Sequence, residues 1–535
     1  MLLKLFNIVA AVFFYFYLSL FIFDYASISN VSGPTVGMLF FFILSRVLNK
    51  SDPSKSYLLN TFQAIAKSNE RNLVIFSAFA LFIVFNCLSL ARHFALSSSS
   101  WDLGIFDQAI WNAANGNMLV SSLKGNINLL GDHFEPVLFV LVPLYKVWSS
   151  AAVLLIAQSL ILSLAVFPLY LIAKAKLSSR ALVLAFIASF MLSRPLRGVA
   201  LSDFHPECFI LLFSFWAYYF LIKKKNGLLL VSVLFMLACK EDTAFLVCAL
   251  GLYAVIFEKR RGLGVLLFVL GIAAWILETK FIIPAFNPAR VYPYMDRLPF
   301  GTTYAANLKA VILEPALLGK IFLNNAKISY CLKFLGPLAF LPLLSPRHYI
   351  LIAVPLLRNI LPVDPNFSGH YNISSQYTAA VIPFVYIAAI YGAANLAARL
   401  KHIRAPFWIA IFILLTSVFY YGKTDAHKFR RFMITIKENR TLKKISYLKQ
   451  IPADASVSAN FNLIPHLSQR KYIYQWNPSL KTSFTCQYLV IDMTLLDYMG
   501  KDDIAAIGPY FQQIDGLGYK KIFENPQKNF FIYKK

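Results

Sequence analysis

Charged residues are scarce in this sequence. Asp, Glu, Lys and Arg make up 14% of its 535 residues, whereas soluble globular domains carry roughly 25%. Apolar residues make up 58% of the chain, and the mean hydropathy is +0.61. They fall in blocks of roughly 15 to 25 residues, the helix length that crosses the hydrocarbon core of a bilayer. The composition excludes an ordinary soluble protein and predicts an α-helical polytopic membrane protein.

Cysteine is also rare, and the six cysteines form no C-x-x-C pair. Most of them lie within or beside apolar blocks, which argues against a disulfide framework or a zinc site. A cleavable signal peptide is not expected either. Residues 2–23 are too long and too aromatic for a signal-peptide core, and no small-residue cleavage site follows them. We expect this first block to be retained as a span.

Acidic residues are half as frequent as basic ones. The chain has 25 Asp and Glu against 51 Lys and Arg, a formal net charge of +26. The basic residues lie mostly in short segments between apolar blocks, where they set orientation and contact anionic lipid. No basic stripe interleaved with aromatic residues is present, and such a stripe is typical of nucleic-acid binding. The charge therefore predicts a membrane partner and no nucleic acid.

The apolar blocks predict about 13 transmembrane helices. They lie at approximately 2–23, 34–48, 71–95, 151–173, 180–193, 206–222, 226–239, 243–257, 262–284, 331–345, 347–361, 376–398 and 405–422. Residues 1–70 form an N-terminal extension with two spans. Residues 71–422 form a transmembrane module that includes the loop 96–150, and residues 423–535 form a linker helix and a soluble domain.

Five basic clusters fix the expected orientation. They are Lys50–Arg71, Lys174–Arg180, Lys223–Lys225, Lys259–Arg261 and Arg399–Arg404. Alternating spans place all five on one side, which the positive-inside rule makes cytoplasmic. The N-terminus is then cytoplasmic and the C-terminal domain lies outside. Lys423, Lys428, Arg430 and Arg431 conflict with this scheme, because they follow the last span and would also lie outside.

The segment 226–257 is predicted to be a hairpin. A single long helix would carry Lys240, Glu241 and Asp242 through the middle of the membrane, at a cost of several kcal/mol for each charge. Two short helices with these residues at their tip avoid that cost. The same tip brings the three residues to the outer face.

The C-terminal segment predicts a small α/β domain of roughly 90 residues. Residues 428–450 have the pattern of a basic amphipathic helix. Strands are expected at Ser456–Asn460, Lys471–Trp476, Gln487–Met493 and Lys528–Lys535, with a helical stretch around 501–513.

Ionisable residues concentrate in a few predicted outward segments. Eight of the 25 carboxylates fall in three of these segments. They are Asp102, Asp107, Asp132 and Glu135 in the loop 96–150, Asp203 and Glu207, and Glu241 and Asp242. His133, His205, Lys240, Gln376 and Tyr377 lie in the same or a fourth outward segment. Scattered solvated loops would not require this concentration, whereas a polar cavity at the membrane boundary would.

Structural alternatives remain open for most of these residues. Asp102 is well placed to cap a helix over 103–114, and Asp132 or Glu135 to cap the apolar run from Val137. Asp203 to Glu207 can be a helix entry with Pro206 at its first position. Lys240 to Asp242 can be a turn that neutralises itself. Asp107 lies one turn into its helix and has no capping role.

These residue types are suited to a reaction on a substrate linked to a lipid phosphate. A carboxylate can deprotonate an acceptor hydroxyl while a cation or a metal offsets charge on a departing phosphate. Arg194, Arg197 and Lys240 are the candidate phosphate ligands, and simple contact with a lipid headgroup remains an open alternative for the two arginines. A divalent metal, Mg²⁺ or Mn²⁺, is a candidate cofactor. Its candidate ligands are Asp107, Asp132, His133, His205 and Glu207.

Together these segments resemble a bacterial family of predicted membrane proteins known by a domain of unknown function. The family pattern is D-L-G-I-(F/Y)-D-Q-A, G-D-H-F-x-P, D-F-H-P-E, K-E-D and a late (H/Q)-Y followed by Pro. The chain carries it at Asp102–Ala109, Gly131–Pro136, Asp203–Glu207, Lys240–Asp242 and Gln376–Tyr377 with Pro383. The similarity covers roughly residues 75–535, so 1–70 is an addition.

That family is similar to a branch of the type-C glycosyltransferase (GT-C) superfamily. Such enzymes take sugars from polyprenyl phosphates, and an acidic residue in the first outward loop is the usual base. The resemblance implies a GT-C-like fold in a bacterial inner membrane, with Asp102 or Asp107 as base. The superfamily's acidic pair is commonly adjacent, whereas these two are five residues apart, so both candidates stay open. The partners implied are membrane lipid and a polyprenyl-phosphate-linked sugar, and the acceptor belongs to the cell envelope.

Two other functions compete with sugar transfer. A transporter or lipid flippase would place binding groups near the bilayer midplane and commonly has repeated halves. The ionisable residues here lie at one boundary, and no internal repeat is evident. A non-catalytic assembly protein, in which the acidic segments bind partners, is the third hypothesis.

Overall fold

A computed structural model describes residues 70–294, 309, 313, 324–361, 369–422, 424–476, 486–495, 514 and 516–535. The chain is mostly α-helical and ends in a small sheet domain. The two spans predicted before residue 70 and the helical stretch predicted around 501–513 lie outside the described residues.

The helices that precede residue 261 are α1 (Glu70–Phe94), α2 (Ile105–Ala114), α3 (Val142–Val147), α4 (Ala151–Leu164), α5 (Val166–Lys176), α6 (Arg180–Met191), α7 (Arg194–Leu201), α8 (Glu207–Ile222), α9 (Asn226–Leu237) and α10 (Thr243–Ile256). Those after it are α11 (Arg261–Leu277), α12 (Ile283–Phe286), α13 (Asn325–Leu335), α14 (Tyr349–Ile360), α15 (Ile382–Leu400), α16 (Ala405–Tyr421), α17 (Asp425–Glu438) and α18 (Thr441–Tyr447). The strands are β1 (Val120–Ser121), β2 (Ile127–Asn128), β3 (Val457–Ala459), β4 (Ile473–Gln475), β5 (Tyr488–Asp492), β6 (Lys520–Glu524) and β7 (Phe530–Lys534).

Among the described residues, six helical segments are long and apolar enough to cross a membrane. They are Glu70–Phe94, Ala151–Lys176, Arg180–Leu201, Arg261–Phe286, Gln376–Leu400 and Ala405–Glu438. Four shorter apolar helical segments accompany them, at Pro136–Val147, Glu207–Ile222, Asn226–Leu237 and Thr243–Ile256. A mostly helical membrane architecture is therefore present, and the total of about 13 spans stays a prediction.

Two details of the predicted helices have different outcomes. The hairpin at 226–257 is present as α9 and α10, which a turn containing Lys240 separates. A continuous helix over 331–345 was a wrong prediction. Helix α13 ends at Leu335, and two short 3-10 turns containing Pro337 and Pro342 follow. Proline supplies no backbone N–H, so neither position can continue an α-helical ladder.

Small residues let helices α10 and α11 pack closely. A Cβ atom added to Gly251 would lie 2.6 Å from the carbonyl oxygen of Gly264. One added to Gly271 would lie 2.6 Å from the carbonyl oxygen of Ala244. No side chain fits at these separations, so glycine allows the two backbones to meet, as it commonly does in membrane helix pairs.

The C-terminal domain is built on a mixed five-stranded sheet with the order β4-β3-β5-β7-β6. Strand β3 pairs in parallel with β4 and β5, whereas β7 pairs antiparallel with β5 and β6. Strands β3, β4, β5 and β7 lie where the sequence predicted strands. Strand β6 was missed, because it is an edge strand whose exposed lysines Lys520 and Lys521 weaken the apolar alternation.

The domain is attached to one end of the helix bundle. Thr441 Oγ1 donates a hydrogen bond to the carbonyl oxygen of Phe94 at the end of α1 (2.6 Å). Asn462 Nδ2 donates to the carbonyl oxygen of Leu96 (2.8 Å). We call this end of the bundle the domain-bearing end. At the opposite end, Glu70 pairs with Lys174 and Arg180.

Candidate functional site

Asp102 and His205 form a pair at the domain-bearing end. Asp102 lies in a π-helical turn, Ser100–Gly104. Ser99 caps this turn, because its Oγ accepts a hydrogen bond from Trp101 N (3.1 Å). His205 Nε2 lies 3.2 Å from Asp102 Oδ1. The Asp102 side chain is 36% exposed, whereas that of His205 is 8% exposed. Asp102 is therefore a carboxylate that contacts His205 and remains accessible to solvent.

The segment before His205 is fixed by a neighbouring carboxylate. Asp203 has a left-handed backbone, with φ +64°, and its carboxylate pairs with Arg92 and accepts from Ser99 N (2.8 Å). Gln158 Nε2 donates to the Asp203 carbonyl oxygen (2.5 Å), and its Oε1 accepts from His205 N (2.9 Å). Asp203 thus ties the loop that carries Asp102 to the loop that carries His205.

The two members of the pair stabilise each other's charged form. Burial by itself would raise the pKa of the Asp102 carboxyl, but the charge and hydrogen bond of His205 outweigh it and lower that pKa. Burial would likewise lower the pKa of the His205 imidazole, and Asp102 outweighs it and raises that pKa. Asp102 is accordingly ionised at neutral pH.

Asp107 has a different environment from Asp102. Its side chain is fully buried and accepts hydrogen bonds from Tyr145 Oη (2.6 Å), Ser468 Oγ (2.6 Å) and Gln469 Nε2 (3.1 Å). Burial raises the pKa of the Asp107 carboxyl, and these three hydrogen bonds oppose the rise. Two of the donors belong to the C-terminal domain, so Asp107 connects that domain to helix α2.

Glu207 and Lys240 form a buried ion pair next to His205. Lys240 Nζ lies 3.0 Å from Glu207 Oε1, and both side chains are buried. The Glu207 carboxylate also interacts electrostatically with His205. Among the described residues, His205 Nδ1 and Glu207 Oε2 are buried atoms with no hydrogen-bond partner. Buried polar atoms are normally satisfied, so these two atoms are unusual within the described part of the chain.

The tip residue Glu241 binds His133 in a second pair. His133 Nδ1 lies 2.8 Å from Glu241 Oε1. The ring of Tyr294 stacks on His133 with centroids 4.3 Å apart, and its hydroxyl donates to Asp132. Lys124 Nζ lies 2.8 Å from the same Asp132 carboxylate. The loop 96–150 is thereby joined to the hairpin tip.

Glu135 is buried among these charges. Burial raises the pKa of its carboxyl well above the ordinary value. Lys240 opposes that rise, and the carboxylates of Glu207 and Asp132 reinforce it. Glu135 is therefore the member of the group most readily kept as a neutral acid.

Asp242 and Tyr377 share Arg358 as a partner. Arg358 Nε lies 2.5 Å from Asp242 Oδ2. Its guanidinium lies over the Tyr377 ring, 5.4 Å from the centroid, and Lys240 Nζ lies 5.6 Å from the same centroid. Gln376 is less involved, since its Oε1 accepts only a local hydrogen bond from Ser375 Oγ (3.0 Å).

Arg194 and Arg197 lie on α7 and are not part of this carboxylate group. Arg197 is buried, and its Nη1 lies 3.0 Å from Asp425 Oδ1 at the start of α17. Arg194 is half-buried beside it. The predicted phosphate ligands are thus divided, with Lys240 in one place and the two arginines in another.

The capping alternatives for the acidic residues are wrong. Helix α2 begins at Ile105, and Asp102 does not cap it. Glu135 precedes the turn Pro136–Leu141 without a side-chain cap bond. Asp132 follows a short 3-10 turn instead of opening the apolar run. Asp102 instead binds His205, and Asp132 binds Lys124 and the Tyr294 hydroxyl, because these partners reach them from other segments.

The metal hypothesis finds no ligand set. Across the part of the chain that the structure describes, no three His, Cys, Asp or Glu side chains are grouped so that they could hold a metal ion. Of the five candidates, Asp107 is taken up by hydroxyl and amide donors, and Glu207 by Lys240. A divalent metal at these residues stays a prediction.

A family model for predicted membrane proteins, DUF2079, matches residues 92–514. The chain belongs to this family. The match includes every candidate residue named above and the helices that carry them. No curated protein matches the chain.

Three ionisable residues that interact with the candidate site residues of this DUF2079 member were not predicted from the sequence. Arg358 binds Asp242, and Arg92 binds Asp203. Glu278 is buried at the end of α11, where it interacts with the carboxylates of Glu241 and Asp242. Arg358 and Glu278 are isolated ionisable residues within apolar runs, and that signal by itself marks a functional or paired position.

Proposed function

We propose that this chain is a glycosyltransferase that moves a sugar from a polyprenyl-phosphate donor to a cell-envelope acceptor, at the outer face of a bacterial inner membrane. The observation that supports it best is the pair of Asp102 and His205. It joins an ionised, partly exposed carboxylate to a buried imidazole at the domain-bearing end. The resemblance to the GT-C superfamily assigns the base to the first outward loop, which is where Asp102 lies in sequence.

The proposed reaction is an inverting displacement. The acceptor hydroxyl oxygen attacks the anomeric carbon of the donor sugar, and a new C–O bond forms. The bond between that carbon and the phosphate oxygen breaks, and its electron pair leaves on the polyprenyl phosphate. Asp102 takes the hydroxyl proton. A carboxylate of low pKa suffices, because the hydroxyl becomes strongly acidic once its oxygen bonds to an electron-poor carbon.

His205 acts on the reaction through Asp102. The imidazole holds the carboxylate in position and keeps it ionised. The free atoms His205 Nδ1 and Glu207 Oε2 are suited to bind sugar or acceptor hydroxyls. Asp132, His133, Glu135, Asp203, Lys240, Glu241, Asp242, Gln376 and Tyr377 would line the remainder of the site. No step uses a metal.

The proposed division of labour follows the predicted domains. Residues 71–422 would form the catalytic module, and residues 423–535 would close it from outside through contacts such as Ser468 to Asp107. The extension 1–70 would add two spans. Asp107 then serves to hold the C-terminal domain, and Asp102 is the base.

A reconstitution assay tests the proposal against the flippase alternative. The full-length protein is placed in liposomes with a labelled polyprenyl-phosphate sugar and a cell-envelope extract as acceptor. Sugar transfer releases free polyprenyl phosphate and moves the label to water-soluble or polymeric product. A flippase would move the intact lipid between leaflets without releasing polyprenyl phosphate. Lipid movement with no release would refute the transferase.

The proposed orientation has its own test. In a variant without native cysteines, Met118→Cys in the loop 96–150 and Ile403→Cys at the opposite end are both exposed. A membrane-impermeant maleimide added to intact cells with a permeabilised outer membrane should label position 118 and spare position 403. The reverse pattern would contradict an outward-facing site.

A further inference from the structure

A cluster of cations surrounds one carboxylate beside the last long helix. We call it the Asp425 cluster and define it as Arg194, Arg197, Lys428 and Asp425. Arg197 pairs with Asp425, and its Nη2 also donates to the carbonyl oxygen of Tyr421 (2.8 Å). Its guanidinium lies 4.4 Å from the centroid of the Tyr421 ring. Arg197 is therefore held rigidly between helices α7, α16 and α17.

The cluster carries more positive than negative charge. Arg194 comes from the first turn of α7, and a Cβ atom added to Gly422 would lie 3.8 Å from its Nη1. Lys428 lies one turn into α17 and interacts electrostatically with Arg194, Arg197 and Asp425. Within the described residues, Asp425 is the single carboxylate that pairs with any of the three cations.

Placing three cations around one carboxylate costs free energy unless a further anion binds to them. Partly buried cations lose hydration, and a single carboxylate compensates only one of three. Neither Arg194 nor Lys428 has a salt bridge among the described residues, so two donors remain available. Arginine presents a planar fork that fits phosphate oxygens, and lysine adds a point charge. The chemistry therefore favours a phosphate group over a single carboxylate.

The surroundings favour a phosphate that belongs to a lipid. Helix α17 also presents exposed apolar residues, Phe429, Met433 and Ile434, together with exposed Arg431. A basic helix with exposed apolar side chains lies at a membrane interface, where its cations meet headgroups and its apolar residues meet acyl chains.

We propose that Arg194, Arg197 and Lys428 bind the phosphate of a membrane lipid, with Asp425 orienting Arg197. The lipid is a polyprenyl phosphate, a choice that rests on the proposed function, whereas the phosphate itself follows from the cluster. Lys240 pairs with Glu207 and is not part of this cluster. The donor phosphate would be recognised by α7 and α17 and the acceptor by the group around Asp102.

Binding to full-length protein in phosphatidylcholine nanodiscs tests the site. A short polyprenyl phosphate is titrated and bound lipid is measured by native mass spectrometry, with the matching polyprenol and inorganic phosphate in parallel. The wild-type protein should bind the polyprenyl phosphate at least tenfold more tightly than the polyprenol. Arg194→Gln and Lys428→Gln should each weaken phosphate-lipid binding at least fivefold and leave polyprenol binding unchanged. Both residues are peripheral to the Arg197 to Asp425 pair, so folding should survive.

Arg431→Gln is the matched control, since it removes an exposed cation from the same helix and should bind like wild type. Equal binding by wild type, Arg194→Gln and Lys428→Gln would overturn the site. Displacement of the lipid by inorganic phosphate at equal concentration would overturn its assignment to a lipid. Asp102→Asn should bind normally while losing transfer. Failure of the transferase proposal would thus leave lipid binding by the Asp425 cluster intact. Normal transfer together with normal lipid binding in Arg194→Gln and Lys428→Gln would refute only the phosphate site.

Discussion

Asp102 and Asp107 lie five residues apart in one motif, yet their surroundings are opposite. Asp102 is about a third exposed and has His205 as its principal partner. Asp107 is fully buried, and three donors enclose its carboxylate. An acceptor hydroxyl can approach the first and cannot approach the second without unfolding its surroundings. Residue type and motif position therefore do not separate an accessible carboxylate from an enclosed one, whereas the tertiary contacts do.

The neighbour of Asp107 supports the structural side of this comparison. Gln108 is also buried, and its Nε2 donates to Ser122 Oγ (2.9 Å) and to the carbonyl oxygen of Arg470 (3.0 Å). Its Oε1 accepts from Ser121 Oγ (2.8 Å). Asp107 and Gln108 together bind helix α2 to the C-terminal domain. The same motif thus carries the proposed base at one end and a domain contact at the other.

The strongest test of the comparison is removal of the charge from Asp102. Asp102→Asn should reduce sugar transfer by a factor of about 10² to 10⁴, the range for loss of a general base. Its melting temperature should stay near that of the wild type, because the side chain is partly exposed. Transfer is measured with the reconstituted protein and insertion with the membrane fraction. Full activity in Asp102→Asn would remove the proposed mechanism.

Truncation of Asp107 should affect stability before chemistry. Asp107→Ala leaves the buried hydroxyls of Tyr145 and Ser468 without their acceptor, and each unsatisfied buried group costs about 1–3 kcal/mol. We expect a lower melting temperature and faster proteolysis between the helix bundle and the C-terminal domain. Asp102→Ala is the control and should resist proteolysis like wild type. A stable Asp107→Ala protein with no activity would reverse the two roles.

His205 should set the pH range of the reaction. In His205→Asn, burial is no longer outweighed by the imidazole charge, so the pKa of Asp102 should rise. Transfer requires ionised Asp102, so the acid limb of the kcat/KM profile should move to higher pH. A merely structural histidine would lower the rate equally at every pH. An unshifted limb would therefore show that His205 does not tune Asp102.

The smallest effect should come from removing one donor to Asp107. Ser468→Ala leaves the carboxylate with Tyr145 and Gln469, so the loss of stability should be about 0.5–1.5 kcal/mol, the net value of one hydrogen bond. Transfer should be unchanged. The exposed Ser446→Ala serves as control. A large loss of activity in Ser468→Ala would mean that Asp107 takes part in the reaction directly.

Much of the fold was predictable because its causes are local. Apolar runs are long enough to require membrane helices, and the cost of buried charge requires a break at Lys240. Strands of the C-terminal domain followed from alternation and turn residues. The wrong helix over 331–345 arose because hydropathy outweighed Pro337 and Pro342, although proline ends the helical ladder. The family match supports the prediction of a membrane protein family of unknown function.

The sequence by itself determined the membrane architecture and the concentration of acidic residues in a few segments, since both depend on composition and spacing. Which hydrogen-bond donors and charged side chains surround each carboxylate depends on the tertiary structure. Ser468 lies 361 positions from Asp107, and Glu241 lies 108 positions from His133. No periodicity within a segment encodes such pairings. They arise when helices and the C-terminal domain pack, because packing sets the burial and the donors that distinguish Asp102 from Asp107.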